Sequence, residues 1–516
     1  MGQKSQIKRG AVLSYFNMLI TISTGFILSP LMKNTWGADN MGCYILIGSM
    51  IGYISLLDFG LGDCIVRYVA KFRAQENKKA RDNFINMCFT LYLVIAVVVA
   101  VVGVLLFFTY HNFLDEGKYT PEQFALMDKM FLIVLLNLVV SFVFQVFPGV
   151  LGAYEKFIFI RRVELIRNIV RPIIVLLLLH YNYDAVSVVI VDACSNIFYY
   201  ACVIVYALKV LNIRVCMKGI DYSIIRELFN YSFFVFLTYV VNQLNWKIDH
   251  LILGMNNGGE QITISSTGTQ FANYFIQIST TLATLFLPRV TNLVVKNAGK
   301  GPLTDIMIRV GRIQFLILGL VFTGFTIIGK QFMVTWMGPG FIDSYYIGLM
   351  MMVALFVPEI QTVGLNILFA KSMHKFRACM LLGIAVLNVA VSIPLANNYG
   401  AIGAAIGTAL SLLIGNGLIL NIYYNNAVGV DIKRFFKETC HGLLPVMLIS
   451  ILLSSITFLV PQNGWFSMFV RGVIVTVIYF GMQWIFGMNR YEKNLIIQLI
   501  EKFTKKLPHL EGREGD

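Results

Sequence analysis

The chain reads as an all-α integral membrane protein of fourteen transmembrane helices, two parallel six-helix repeats followed by a final helix pair. Three observations predict this. Hydrophobic residues make up 57% of the 516 positions and charged residues only 13%, where soluble domains carry roughly 25% charged residues. Apolar runs of about 20 residues, the length of a membrane-spanning helix, recur along the whole chain. And the stretch NYDAVSVVIVDACSN at 182–196 aligns with NYGAIGAAIGTALSL at 398–412 at a constant offset of 216 residues.

The spans follow in order. The first, near 11–32, comes after a short basic leader with no small-residue cleavage site and leads into further spans. It therefore reads as a retained helix and not a signal peptide. The next five lie near 41–66, 86–110, 128–153, 164–181 and 185–208. Six more lie near 229–255, 267–290, 309–329, 342–370, 377–396 and 400–424, and two close the chain near 441–460 and 466–488. The second span continues without a Gly/Pro-rich break from CYILIGSMIGYISLL into DFGLGDCIVRYVAKFRA at 58–74, so one helical pattern carries Asp58, Asp63, Arg67, Lys71 and Arg73 past the apolar run. The eight cysteines show no CxxC pair or metal spacing and read as small apolar fillers.

Loop charge gives the orientation, because Lys and Arg accumulate on the cytoplasmic side. With the N-terminus inside, 35 of the 41 cations fall in inside segments or the inner ends of spans. Lys33, Lys118, Lys129, Lys247, Lys330 and Arg471 are the others. Both termini are then cytoplasmic, and the net charge of +14 is topology and gives no reason to expect nucleic-acid binding.

In the repeat, Asn182/Asn398, Tyr183/Tyr399, Ala185/Ala401, Ile190/Ile406, Ala193/Ala409 and Ser195/Ser411 match, and Tyr15 meets Tyr231 at the same offset. An offset of six helices preserves orientation, so the copies relate by an axis along the membrane normal. Transporters built this way hold substrate between the halves. The division expected is a six-helix lobe at 1–215, a second at 216–428, and a helix hairpin with a basic tail at 429–516.

Several spans carry polar stripes: Ser14, Asn17, Thr21 and Thr24 in the first, Thr238, Asn242, Asn245 and Asp249 in the seventh, Gln270, Asn273, Gln277, Thr280/Thr281 and Thr284 in the eighth. Such faces meet protein or water, not lipid. Interhelical hydrogen bonding needs only one or two polar residues per helix, and four or five aligned ones favour a cavity. Glu359 lies near the middle of the tenth span, where a carboxyl is a proton or cation site or is paired with a neighbouring helix. Pro358 beside it suggests a kink whose freed carbonyl shares that site. Lys247, Asp249 and His250 cluster toward the outer end of the seventh span, as a site or as interface residues. Glu164, Arg167, Asn168 and Arg171 share one face of the fifth span, either as a phosphate-binding pair of arginines or as ordinary inner-leaflet anchors. Asp63, Arg67 and Lys71 share a face of the second, with Asp63 placed to pair with Arg67. Arg289, in LFLPRVTNL, is the plausible counterpart in the second half. Together these arginines would form a cationic vestibule on the cytoplasmic side.

DFGLGDCIVRYVAKFRA after a second span resembles the polysaccharide flippases of the multidrug/oligosaccharidyl-lipid/polysaccharide exporter superfamily, and LFLPRVTNL at the end of the eighth resembles a motif of that superfamily's lipid II flippases. The resemblance covers about residues 1–425. It implies a V-shaped fold like that of the multidrug and toxin extrusion (MATE) transporters, in a bacterial cytoplasmic membrane. By that resemblance the chain moves an undecaprenyl-pyrophosphate-linked oligosaccharide from inner to outer leaflet by alternating access, for O-antigen, capsule or exopolysaccharide synthesis. Arg67, Arg167, Arg171 and Arg289 would hold the pyrophosphate. Asn17, Thr21, Thr238, Asn242, Asn245, Trp246, Gln270, Asn273, Tyr274 and Gln277 would line the cavity. Glu359 or Asp249 would couple transport to H+ or Na+. Other polysaccharide-assembly proteins are expected partners, with membrane lipids, and no metal or organic cofactor is implied.

The rival readings are a cation-coupled multidrug exporter, the lipid II flippase itself, and a membrane-bound polymerase or ligase. A drug exporter would line its cavity with aromatics and carboxylates, whereas the vestibule expected here is basic. The longest outside loops, near 111–127 and 256–266, hold no Ser/His/Asp set, metal cluster or Gly-rich phosphate loop, so a non-enzymatic transporter is expected.

Overall fold

The computed structural model describes residues 3–213, 225–296, 299–371, 373–460 and 464–504, and among these the regular elements are helices only. The side chains of Ser14, Tyr15 and Tyr231, together with the expected lobe boundary at 215/216, lie outside the described residues.

The helices are α1 (Gln3–Trp36), α2 (Ala38–Ile54), α3 (Leu61–Ala74), α4 (Lys78–Thr109), α5 (Pro121–Phe144), α6 (Val146–Ala153), α7 (Phe157–His180) and α8 (Ala185–Lys209). Then come α9 (Ile225–Asn256), α10 (Gly259–Thr284), α11 (Leu287–Val295), α12 (Lys300–Met337), α13 (Ile342–Ile360), α14 (Thr362–Ala370) and α15 (His374–Leu412). The last are α16 (Leu420–Tyr423), α17 (Ile432–Cys440), α18 (Leu443–Ser454), α19 (Gly464–Met482) and α20 (Arg490–Thr504).

Local chemistry sets many of these starts. Asn77 accepts from the Ala80 amide at the head of α4, and Thr120 and Gln123 form a capping box around Pro121 at the head of α5. Asp184 caps α8 by accepting from the Ser187 amide. At the corresponding place in α15, Gly400 is left-handed (φ 56°), and the Ala401 amide donates instead to the Gln261 side chain at 2.9 Å. The first cap is written in the local sequence; the second is supplied by another helix.

Among the described residues ten helices are long and apolar enough to cross a membrane, or eleven if α10 and α11, bent by 52°, form one span. Every span expected from the sequence falls on helix, and the shortfall from fourteen has identifiable sources. Helix α7 carries Arg161, Arg162, Arg167 and Arg171, and α9 carries the polar stripe. The eleventh and twelfth spans are continuous through the kink at Gly400 and count once, as 376–428.

The second span differs from the sequence reading. The helix does not run unbroken through the charged stretch. A 3-10 turn at Ser55–Asp58 is followed by Phe59 (φ 51°) and Gly60 (φ 70°), both left-handed, and α3 begins only at Leu61. Phe59 packs its ring 4.9 Å from that of Phe236. A Cβ on Gly60 would lie 2.5 Å from Val235 Cγ1, so this close approach requires glycine. The tenth span is likewise broken, by Gln361 between α13 and α14.

The chain packs into two compact units. Unit 1 holds residues 1–274, 346–351 and 374–415; unit 2 holds 275–345, 352–373 and 416–516. In unit 1, α9 packs along α15, α1 along α7, and α5 between α4, α8 and α2. In unit 2, α12 is the central helix, packed by α17, α18 and α19. Two buried arginines organise unit 2. Arg312 forms a bidentate ion pair with Glu492 of α20 (2.5 and 3.1 Å) and donates to the Glu438, His441 and Gly487 carbonyls. Arg471 donates to Gln331 and faces the Phe458 ring. The loop-charge reading puts Arg312 at the inner end of the ninth span and Arg471 outside or in the outer half of the membrane. Both are buried against partners inside the protein, Arg312 with a carboxylate and Arg471 with an amide oxygen, a backbone carbonyl and a ring, while Arg471 Nε has no hydrogen-bond partner.

Candidate functional site

Unit 1 contains three polar cavities. One, of about 340 Å³, is lined by Thr21, Thr24, Ser29, Asn168, Arg171 and Gln270 among others. A second, of about 320 Å³, includes Asn137, Asp192 and Lys247, and shares Tyr44, Ile45 and Ser266 with the first. The third, of about 430 Å³, is formed by the turn after α2 together with α5, α8 and α9. All lie in the size range of small-molecule sites.

Arg171 marks the boundary of the first two. It sits well inside α7 and engages Asp192 of α8 through Nε and Nη2, the latter at 3.0 Å. Tyr44 donates to the same carboxylate at 3.1 Å. The pair is about 30% exposed, so it is wet on the cavity side. One turn earlier, Arg167 lies over the Tyr199 ring at 5.2 Å. Both arginines expected to bind phosphate are thus held by α8, because α7 and α8 pack antiparallel. Glu164 of the same face pairs with Arg161 at 2.8 Å. Arg67 is exposed on α3, and Arg289 is exposed on α11 in unit 2. Arg67, Arg167 and Arg171 thus belong to unit 1 and Arg289 to unit 2, and within unit 1 Arg171 lies beside Tyr44 and Asp192.

The polar stripes are partly gathered. Asn17 is buried, with neither side-chain polar atom hydrogen-bonded, and its carbonyl accepts from Thr21. Gln270 accepts from Ser29 at 3.3 Å and donates to Tyr274, whose ring packs 5.2 Å from Phe26. Asn273 is exposed, Thr238 and Trp246 half-buried, and Gln277 half-buried in unit 2. The stripe of α9 meets two surroundings. Asn242 faces the cavity of about 430 Å³. Asn245 is buried, and Asp249, about 10 Å further along the helix, is buried against α15. Within the cluster Lys247, Asp249 and His250, Asp249 points away from Lys247, since residues two apart on a helix do not face one another. Lys247 faces a cavity, Asp249 faces α15, and His250 shares a 2.9 Å hydrogen bond with Ser49.

Around Asp249 the structure assembles residues the sequence reading missed. Thr408 lies 2.8 Å from one Asp249 carboxylate oxygen and 3.0 Å from the Asn388 amide oxygen. Ser392 donates to Asn388 at 2.8 Å and to the Ala404 carbonyl at 3.2 Å. All four side chains are at least 95% buried. Asp249 Oδ1 and Asn388 Nδ2 have no hydrogen-bond partner. A buried carboxylate with one bare oxygen beside amide, hydroxyl and carbonyl oxygens is the donor set of a small hard cation, or of a proton. The signal was available as polar residues at i and i+4 (Asn388, Ser392) in an otherwise apolar span.

Glu359 in unit 2 is also buried, but at the C-terminal end of α13 and not mid-helix. Its backbone carbonyl accepts from Ser279 and Thr362, each at 2.6 Å, and Gln314 donates to Ser279 at 3.0 Å. Glu359 Oε2 and Gln314 Oε1 have no partner. The carbonyl that enters the network is that of Glu359 at the Gln361 break; Pro358 instead accepts from the Gln361 amide. Among the described residues no three His, Cys, Asp or Glu side chains group as metal ligands.

Comparison with known proteins joins this geometry to a family. In fold, the chain is similar to the lipid II flippase MurJ in an inward closed conformation, with a TM-score of 0.73 at 16% identity, covering 94% of this chain and 99% of that one. It is also similar to an inward-facing multidrug resistance MATE family transporter of the MOP superfamily (TM-score 0.63, 10% identity, 81% and 99% covered). The uncharacterized membrane protein EpsK of Bacillus subtilis (strain 168) is 22% identical over 504 residues, 94% of this chain and 96% of that protein. The family model described as polysaccharide biosynthesis protein matches residues 8–293. More than half the chain is matched, and the protein belongs to the polysaccharide biosynthesis protein family.

Proposed function

We propose that the protein is a flippase that carries an undecaprenyl-pyrophosphate-linked oligosaccharide from the inner to the outer leaflet of a bacterial cytoplasmic membrane by alternating access. The observation that supports this most is the Arg171 site. It is a guanidinium inside an apolar bundle, held by Asp192 through two of its nitrogens; Arg171 lines one cavity, which also offers Asn168 and Gln270, and Asp192 lines a second, which offers Lys247. An anionic headgroup with polar substituents matches that lining in charge and hydrogen-bonding capacity.

In this reading Arg171 and Arg167 contact the pyrophosphate, with Arg67 and Arg289 acting at other stages of the cycle. Asp249, with Thr408, Asn388 and Ser392, takes up the coupling H+ or Na+, and Glu359 is a second candidate. The chain has fourteen spans in two parallel six-helix copies with a terminal pair, and both termini are cytoplasmic. The test is reconstitution into liposomes with a fluorescent lipid-linked oligosaccharide, following the fraction reached by an impermeant quencher. Protein-dependent equilibration, slowed at least tenfold by Arg171→Gln, is expected; equilibration no faster than in empty liposomes contradicts the reading.

A further inference from the structure

The cavity of about 430 Å³ differs in chemistry from the other two. Its lining combines Asp58, Ser141, Gln145, Tyr200, Tyr239 and Asn242 with other polar and apolar groups, and among the described residues includes no Lys or Arg. We infer that this cavity binds the carbohydrate part of the transported lipid, as a neutral glycan subsite separate from the Arg171 site.

Three observations carry this. A carboxylate facing a cavity without a cation repels phosphate, so the anionic end of a substrate does not belong here. The lining is instead a set of carboxylate, amide and hydroxyl groups, which both give and accept hydrogen bonds. That is the complement of sugar hydroxyls, which do the same. Tyr239, 42% exposed, adds an aromatic surface of the kind that packs against the apolar C–H face of a sugar ring.

The lining is also fixed in place. Tyr92 donates to Asp58 at 2.8 Å, Tyr200 to Gln145 at 2.5 Å, and Tyr239 to Asp63 at 3.1 Å. This gives the charged stretch after the second span a use. The left-handed pair Phe59–Gly60 folds the chain so that Asp58 turns into the cavity while Asp63, on the next helix, steadies Tyr239. Preorganised polar groups lose less on binding than mobile ones.

The inference rests on the flippase reading, and its test separates the two. The purified full-length chain is titrated, by native mass spectrometry in detergent, with two probes. One is undecaprenyl pyrophosphate without sugar. The other is the glycan-bearing lipid extracted from a strain lacking this gene. Asp58→Asn and Asn242→Leu should each weaken the glycan-bearing lipid by about tenfold, the loss of one good hydrogen bond to a polar group. They should leave the sugar-free lipid within about twofold, which also shows that the variants are folded. Parallel weakening of both lipids, or no weakening of either, overturns the glycan subsite and leaves the flippase reading standing. A wild-type chain that binds neither probe overturns both.

Discussion

Asp192 and Thr408 stand 216 residues apart, the offset at which 182–196 aligns with 398–412, and their surroundings differ. Asp192 is a carboxylate neutralised by Arg171 and Tyr44. Thr408 is a hydroxyl that reaches out to a carboxylate on another helix, Asp249, whose second oxygen has no hydrogen-bond partner. The first cluster contains its own countercharge. The second does not, and it is the more buried of the two. An isolated ionised carboxylate in such a place is strongly disfavoured; under the proposed function the second cluster receives positive charge from outside, whereas the first stands unaided and lends part of its guanidinium to a ligand. In this account the two positions divide transport between them: one meets the substrate, the other the driving ion.

That contrast can be broken or sharpened by substitution. The largest effect is expected at Asp249→Asn, which keeps the shape and removes the charge. Export of surface polymer should fall by about a hundredfold, equivalent to about 2.8 kcal/mol, while the purified variant loses the thermal stabilisation that Na+ or low pH gives the wild type. A variant that still exports would remove Asp249 from the cycle. Next comes Asp192→Ala, which strands Arg171. Stability should drop by about 2–3 kcal/mol, the penalty for breaking a buried pair reduced for its partial exposure. The double change Arg171→Leu with Asp192→Leu should recover most of that loss, read as the thermal midpoint in detergent, yet still fail to export. Recovery of export would show the pair to be structural only.

Thr408→Val should have a smaller effect. It deletes the hydroxyl shared by Asp249 and Asn388 and should cost about 1–2 kcal/mol, with the half-maximal ion concentration raised by up to about tenfold. An unchanged ion dependence would mean that the hydroxyl only packs. At the foot of the scale is Arg161→Ala on the exposed side of α7. Its pair with Glu164 is solvent-facing and should contribute no more than about 0.5 kcal/mol, with export unchanged.

What the sequence made legible is what local pattern controls. Spans were readable because a run of about 20 apolar residues has few other uses. The cap at Asp184 was readable in kind, as its side chain and the Ser187 amide lie within one turn. The break after Asp58 was not readable. Phe59 adopts a left-handed conformation that its side chain disfavours, and it is held there by packing on Phe236, far along the chain. The partner of Arg171 was hidden for a related reason, since Asp192 lies on the next helix and the register of two antiparallel helices is a tertiary fact. The spacing of Lys247 and Asp249 did hold the information that these two would separate, because only residues three or four apart face one another on a helix and they are two apart.

The most direct test of the account is the lipid composition of cells lacking the gene. Mass spectrometry of extracted lipids should show an undecaprenyl-pyrophosphate-linked oligosaccharide accumulating as the matching surface polymer disappears, with both defects reversed by the wild-type chain and not by Asp249→Asn. An unchanged lipid profile together with a normal surface polymer would contradict the assignment of this protein as the flippase for such a lipid.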